Sequence, residues 1–378
     1  MSQHVLNRAK AAYYPALDGA RGWVAIGVLI AHVNMAWFPG AMILMELFFV
    51  ISGFLITSIL WRSIRKKGRV SLARFWKRRL MRLYPALLLV VASCTLVACV
   101  LVEDPVPSLK DALAALLYYL NWTKLYGPAY PTLFGQTWSL GIEEQFYLLW
   151  PLIFLAALKL RLTVPQTVAV LVSLALACMA WRYYLIAQGV PWSRLYYALD
   201  TRMDAFAIGG ILAVIYPSLR DWSRGAVAHA LLTLGALTLG VLLYVGTPRE
   251  IAYFYWQQSA AVVLSAVMVI LLVSPRSGFV QRAFSWKLSV FLGQRCYSIY
   301  LWHWPIIWLL MVNTDFRGGS LLLIVLPFVL LLSSLTYSWV ELPFMSRRFV
   351  PLEIPAAPTE APLTDAVEPQ SAISPQRS

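Results

Sequence analysis

Leu17-Asp18-Gly19-Ala20-Arg21-Gly22 opens an apolar run that continues to Ala31-His32, and the reading of this stretch decides the fold. The run over 16–37 is long enough to cross a bilayer as a helix, yet it carries an acid, a guanidinium and an imidazole. Arg21 and His32 stand eleven positions apart, very nearly three turns of an α-helix. Both side chains therefore project from one face, about 16 Å apart along the axis. Ionisable groups inside a spanning helix are costly and usually face a protein interior or a wet cavity. Taken singly, Arg21 can equally snorkel to headgroups while His32 sits in the opposite interface. As a pair on one face, with Asp18 a turn before the arginine, they point to a polar passage through the membrane.

The rest of the chain fits that reading. Of 378 residues, 60% are hydrophobic and only 13% are charged, which excludes a soluble domain of this length. Runs of spanning length fall at 16–37, 41–61, 83–102, 137–158, 164–185, 202–216, 226–245, 255–273, 288–312 and 320–340, the sixth being short. The expected fold is all-α: a polytopic membrane protein with about ten transmembrane helices occupying 16–345. A short N-terminal segment (1–15) precedes it and a disordered Pro-rich tail (346–378) follows, with no second soluble domain expected. Asp18 and Arg21 interrupt the first apolar run and no small-residue cleavage site follows it, so no cleaved signal peptide is expected.

The formal net charge of +14 belongs to topology rather than to a nucleic-acid partner. With both termini cytoplasmic, the inside segments hold 22 Lys and Arg residues and the outside segments five, with Arg21, Arg182, Arg202 and Arg295 at or within spans. This positive-inside asymmetry predicts a plasma (inner) membrane location, with membrane lipids as the first partners. The patch 112–120 is about half a span long, so 103–136 is expected to be one external segment with that patch at the surface or dipping in. Cys94, Cys99, Cys178 and Cys296 lie in apolar surroundings without metal or redox spacing and read as packing residues.

Three further polar constellations sit in apolar surroundings. Thr137-Trp138-Ser139-Leu140-Gly141-Ile142-Glu143-Glu144-Gln145-Phe146-Tyr147 places Glu143 at the depth expected for His32, where a carboxylate holds an imidazole's tautomer and raises its basicity. Alternatively the glutamates simply face interfacial water. Tyr297-Ser298-Ile299-Tyr300-Leu301-Trp302-His303-Trp304-Pro305 puts His303 among aromatics, as a packed residue or as a second polar-centre group. Asp200-Thr201-Arg202-Met203-Asp204 offers an Arg–Asp pair that a structural role would also explain. The basic stretch 62–82, expected to be a loop, contains ten cations and no acid. It reads as a lipid-facing anchor, or, through Arg78, Arg79 and Arg82, as a clamp for phosphates. No zinc-ligand spacing, Walker loop or nucleophile elbow is present, and no metal is expected.

These pieces, in this order, resemble the acyltransferase-3 family of integral membrane O-acyltransferases, which acylate O-antigens, exopolysaccharides and related glycans. The resemblance is carried by Leu17-Asp18-Gly19-x-Arg21-Gly22 with His32, Phe48-Phe49-Val50-Ile51-Ser52-Gly53-Phe54-Leu55, and Arg78-Arg79-x-x-Arg82-Leu83-Tyr84-Pro85. It continues through Trp138-Ser139-Leu140-x-x-Glu143-Glu144-Gln145-Phe146-Tyr147, Arg202-x-Asp204, Tyr297-Ser298-Ile299-Tyr300-Leu301-x-His303 and Val340-Glu341-x-Pro343-Phe344. Ala20, Gly141 and Cys296 stand where the family usually has leucine, serine and serine.

The resemblance implies ten spans, an acyl-CoA donor (acetyl-CoA above all) on the cytoplasmic side, and a hydroxyl acceptor on a cell-surface glycan or lipid-linked saccharide. In these terms His32 is the expected general base, Glu143 its orienter, and Arg21, with Asp18 beside it, the group that steadies the donor or a developing negative charge. Arg78, Arg79 and Arg82 are the expected donor clamp. Ser52 and Ser139 are candidate sites of an acyl-enzyme, and Arg202, Asp204, Ser298, Tyr300 and His303 are further polar-centre candidates. A polytopic transporter or channel would also place charges on facing helices, and a membrane glycosyltransferase is the third class considered.

Overall fold

A computed structural model describes residues 13–125, 132–247, 250–276 and 278–346. The tail and most of the N-terminal segment lie outside the described residues. Within Tyr14–Val350 the chain folds as one helical unit. Twelve helices frame it: α1 Pro15–Val33, α2 Ile43–Lys67, α3 Leu72–Leu101, α4 Val106–Leu116, α5 Trp138–Lys159 and α6 Val164–Ala187. They are followed by α7 Met203–Trp222, α8 Ala226–Val245, α9 Gln258–Val273, α10 Lys287–Gln294, α11 Cys296–Asn313 and α12 Gly318–Thr336. Among the described residues, nine helical segments are long and apolar enough to cross a membrane. The expected span at 288–312 is instead divided at Arg295 into α10 and α11.

Local chemistry explains the boundaries. Pro15 occupies the first turn of α1 and Asp18 lies close to the helix's positive end. Thr163 and Gln166 form a reciprocal capping box on α6. The basic segment is not the loop expected from composition: α2 runs to Lys67, Gly68 turns the chain at φ +58°, and α3 begins at Leu72. Arg74, Lys77, Arg78, Arg79 and Arg82 therefore ride on the first three turns of α3. The sixth span also runs longer than expected, to Trp222, because Pro217 is tolerated inside α7. The patch beginning at Ala112 belongs to the eleven-residue α4, which packs on α3 and buries Ser108, Ala112, Ala114 and Ala115.

α1 crosses the molecule against α10 and α11, while α2 makes its broadest contact with α7. Both contacts depend on glycine. A Cβ on Gly22 would fall 2.4 Å from the Gly293 nitrogen, and one on Gly293 would fall 2.0 Å from the Asp18 carbonyl oxygen. Gly53 of α2 and Gly209 of α7 meet backbone to backbone in the same manner. The glycines of the opening motif thus seat one face of α1 on α10. Two π-helical turns, Tyr253–Gln257 before α9 and Tyr337–Glu341 after α12, each turn a polar side chain inward.

Candidate active site

His32 lies in the last turn of α1, and the tertiary fold sets it on His303 of α11. His32 Nδ1 and His303 Nε2 are 2.9 Å apart and the rings lie nearly parallel, 12° between planes. His303 is fully buried, and its Nδ1 lies 2.7 Å from the backbone carbonyl oxygen of Tyr300. A carbonyl can only accept, so His303 Nδ1 carries its proton and Nε2 of the neutral ring is an acceptor. His32 Nδ1 must then donate to His303, which leaves the lone pair of His32 on Nε2. Trp304 tilts against the His32 ring, with centroids 5.0 Å apart.

Glu143, the partner expected for His32, accepts from the Ser52 hydroxyl at 2.7 Å and from the Tyr147 hydroxyl at 3.2 Å. Tyr147 is one turn further along α5 and Ser52 faces it from α2, so the carboxylate is engaged between these helices. The ring set against His32 is that of His303.

Two small cavities run beside α1. One, of about 30 Å³, is lined by Arg21, Arg79, Arg82, Glu143, Tyr147 and Cys296 among others. The second, of about 50 Å³, is lined by His32, Met42, Trp138 and Tyr196. Val28, Met45 and Tyr300 line both. Arg21 stays close to Asp18, at 3.9 Å, and its guanidinium lies 5.4 Å from the Phe48 ring centre. The Arg79 guanidinium lies 4.5 Å from the centre of the Tyr147 ring. Arg78 is not among the side chains lining either cavity, because it lies about 100° round the helix from Arg79. Of the expected clamp, the structure brings Arg79 and Arg82 to the cavity and leaves Arg78 aside.

The serines divide. Ser139 lines the first cavity, but its Oγ lies 2.5 Å from the Tyr300 hydroxyl, which itself donates to the Gln136 carbonyl. Ser139 therefore donates to a phenol that is no base. Ser52 lines neither cavity and donates its hydroxyl hydrogen bond to Glu143. Ser298 is fully buried and donates to Glu341 from the π-helical turn.

Arg202 and Asp204 do not pair with each other. Arg202 bonds Glu46 and stacks on Tyr196, 4.3 Å from the ring centre, while Asp204 pairs with Arg182 at 2.8 Å. Tyr253 also donates to Glu46, at 2.9 Å. Glu46, Arg182, Arg202, Asp204 and Tyr253 are buried, and among the described residues Tyr196, on which Arg202 stacks, lines the His32 cavity. Glu46 escaped the sequence reading, although an acid alone in the apolar run of α2 was its signal. At the cluster's exposed edge Asp200 is held below the usual carboxylate range: burial opposes this, and the hydrogen bonds from Arg194 and Trp181 outweigh it.

Helices of membrane length, enclosing paired imidazoles and an arginine-lined cavity, define an integral membrane protein with a chemically equipped interior. The chain belongs to the acyltransferase-3 family: residues 14–340 match the family described as an acyltransferase domain. It is similar to O-acetyltransferase OatA of Staphylococcus aureus, 34% identical over 365 residues covering 89% of this chain and 58% of the relative. It is also similar to peptidoglycan O-acetyltransferase OatA of Listeria monocytogenes, 30% identical over 356 residues covering 89% of this chain and 57% of the relative. The chain thus spans less than three fifths of the length of these relatives. No solved structure matches it.

Proposed function

We propose that this chain moves an acetyl group from an acyl-CoA thioester, held from the cytoplasmic side, to a glycan hydroxyl on the outer side of the inner membrane. The names of the relatives support acetyl as the group and peptidoglycan as the acceptor class. The division of basic residues supports the orientation, with both termini inside. The observation that carries the reading is the imidazole pair: one ring anchored by a backbone carbonyl, the other in the wall of a cavity.

In this mechanism His32 Nε2 takes the acceptor's hydroxyl proton as that oxygen attacks the thioester carbonyl. A carbon–oxygen bond forms and the carbon–sulfur bond breaks. The departing thiolate of CoA takes the proton back from the imidazolium. While His32 is charged, its Nδ1–H continues to donate to His303 Nε2, which does the work a carboxylate does in other general-base pairs. Arg21 lies about 16 Å along α1 from His32, so it does not serve the reacting carbonyl. With Arg79 and Arg82 it holds the phosphates or the pantetheine arm of the donor. Glu143 is a positioning residue that ties α2 to α5 and balances these cations.

The test is transfer of labelled acetyl from acetyl-CoA by purified, vesicle-reconstituted protein to a soluble muropeptide, read as base-labile ester by mass spectrometry. Ester on a sugar hydroxyl is the expected product. Unchanged donor and acceptor after prolonged incubation overturns the reading.

A further inference from the structure

The wall common to the two cavities consists of Val28, Met45 and Tyr300. Val28 is one turn before His32 on the same face of α1, and Met45 sits in the first turn of α2; both are nearly buried, each at 7% exposure. Tyr300 is pinned on α11 by the Gln136 carbonyl and Ser139. Of the three, Val28 is β-branched and stiff, Tyr300 is tethered at its hydroxyl, and only the unbranched Met45 yields readily. A group passing from the arginine-lined cavity to His32 crosses this wall.

The space on either side is small. The His32 cavity is about 50 Å³ and the arginine-lined one about 30 Å³. An acetyl group has three heavy atoms. A longer acyl chain meets Val28 and Met45 where the two cavities adjoin.

We propose that Val28 and Met45 set the length of the transferred acyl group, admitting acetyl and rejecting butyryl and longer chains. This rests on the reading of His32 as the base that receives a thioester-borne acyl group. One methylene against a hydrophobic wall discriminates by about 10- to 200-fold. Wild-type protein should therefore use butyryl-CoA with a kcat/KM about a hundredfold or more below that for acetyl-CoA, against the same muropeptide.

Met45→Ala and Val28→Ala remove that obstruction. Each should raise the butyryl-to-acetyl ratio at least tenfold, chiefly through gained butyryl transfer, whereas Met45→Leu, of similar volume, should keep the wild-type ratio. A thermal-unfolding scan in detergent confirms that the variants compared are folded. A wild type inert with acetyl-CoA overturns the functional reading and the ruler together. A wild type active with acetyl-CoA, but with a butyryl ratio near one or a ratio unmoved by both alanine variants, overturns the ruler alone.

Discussion

At the scale of the residue, the imidazole pair separates two roles that activity measurements can tell apart. His32→Gln keeps a hydrogen-bonding group of similar size and removes the proton acceptor, so acetyl transfer should fall by about 10²–10⁴ with normal protein yield. His303→Ala leaves the base in place and removes the acceptor of its Nδ1–H. Turnover should then fall by about 10- to 100-fold, the worth of a hydrogen bond to a charged group. Transfer through a neutral imidazole rises with pH as that ring gives up its proton. That rise should survive in His303→Ala and vanish in His32→Gln. The reverse outcome, read from pH–rate profiles of the two variants, would make His303 the base and His32 its support.

At the scale of the element, the first turns of α3 decide which cations act on the donor. Arg79 and Arg82 are three apart and share a face, and both line the arginine-rich cavity; Arg78 sits beside them in sequence but not at that wall. Alanine at Arg79 or Arg82 should weaken binding of a non-hydrolysable acyl-CoA analogue by roughly tenfold or more by calorimetry, the loss expected for a charge-assisted hydrogen bond. Alanine at Arg78 should change affinity less than threefold. Equal losses at all three positions would return the group to non-specific attraction of an anionic ligand. The same helix shows how composition misleads about element boundaries. A run of ten cations reads as loop because no apolar stripe is visible, yet Lys and Arg are good helix formers and their stems cover apolar surface.

At the scale of the whole molecule, orientation is the property on which the mechanism most depends. Single cysteines placed at Lys66 and Lys124, in a background with Cys99 replaced by serine, report it directly. Lys66 lies in the last turn of α2, before α3 in the chain, and Lys124 follows the short helix Leu120–Thr123, after α3. A membrane-impermeant maleimide added to intact cells should label the cysteine at 124 and leave that at 66 untouched until the membrane is opened. Labelling at 66 in intact cells would invert every loop and place the arginine-lined cavity on the acceptor side.

How much of this was written in the chain can be judged from particular residues. The spans, their number to within the division at Arg295, and the common face of Arg21 and His32 follow from hydrophobic run length and helical period, which are local properties. The ordered motifs were sufficient to point to the family, because each gathers residue types that apolar helices otherwise exclude. What sequence could not decide was partnership. Glu143, 111 residues away, was the neighbour expected for His32, whereas the fold sets His303, 271 residues away, against it, and no periodicity relates residues on different helices. The choice was made where Gly22 seats α1 on Gly293, which carries α10 and therefore α11 to the histidine's side. Glu143 was meanwhile taken up by Ser52 and Tyr147. Likewise Arg202 and Asp204, two apart in sequence, point to different helices and find Glu46 and Arg182 instead of each other. Run length, period and motif order belong to the chain itself; which buried polar group satisfies which is settled by helix packing, because a buried charge bonds the nearest complementary group in space, whatever its distance in sequence.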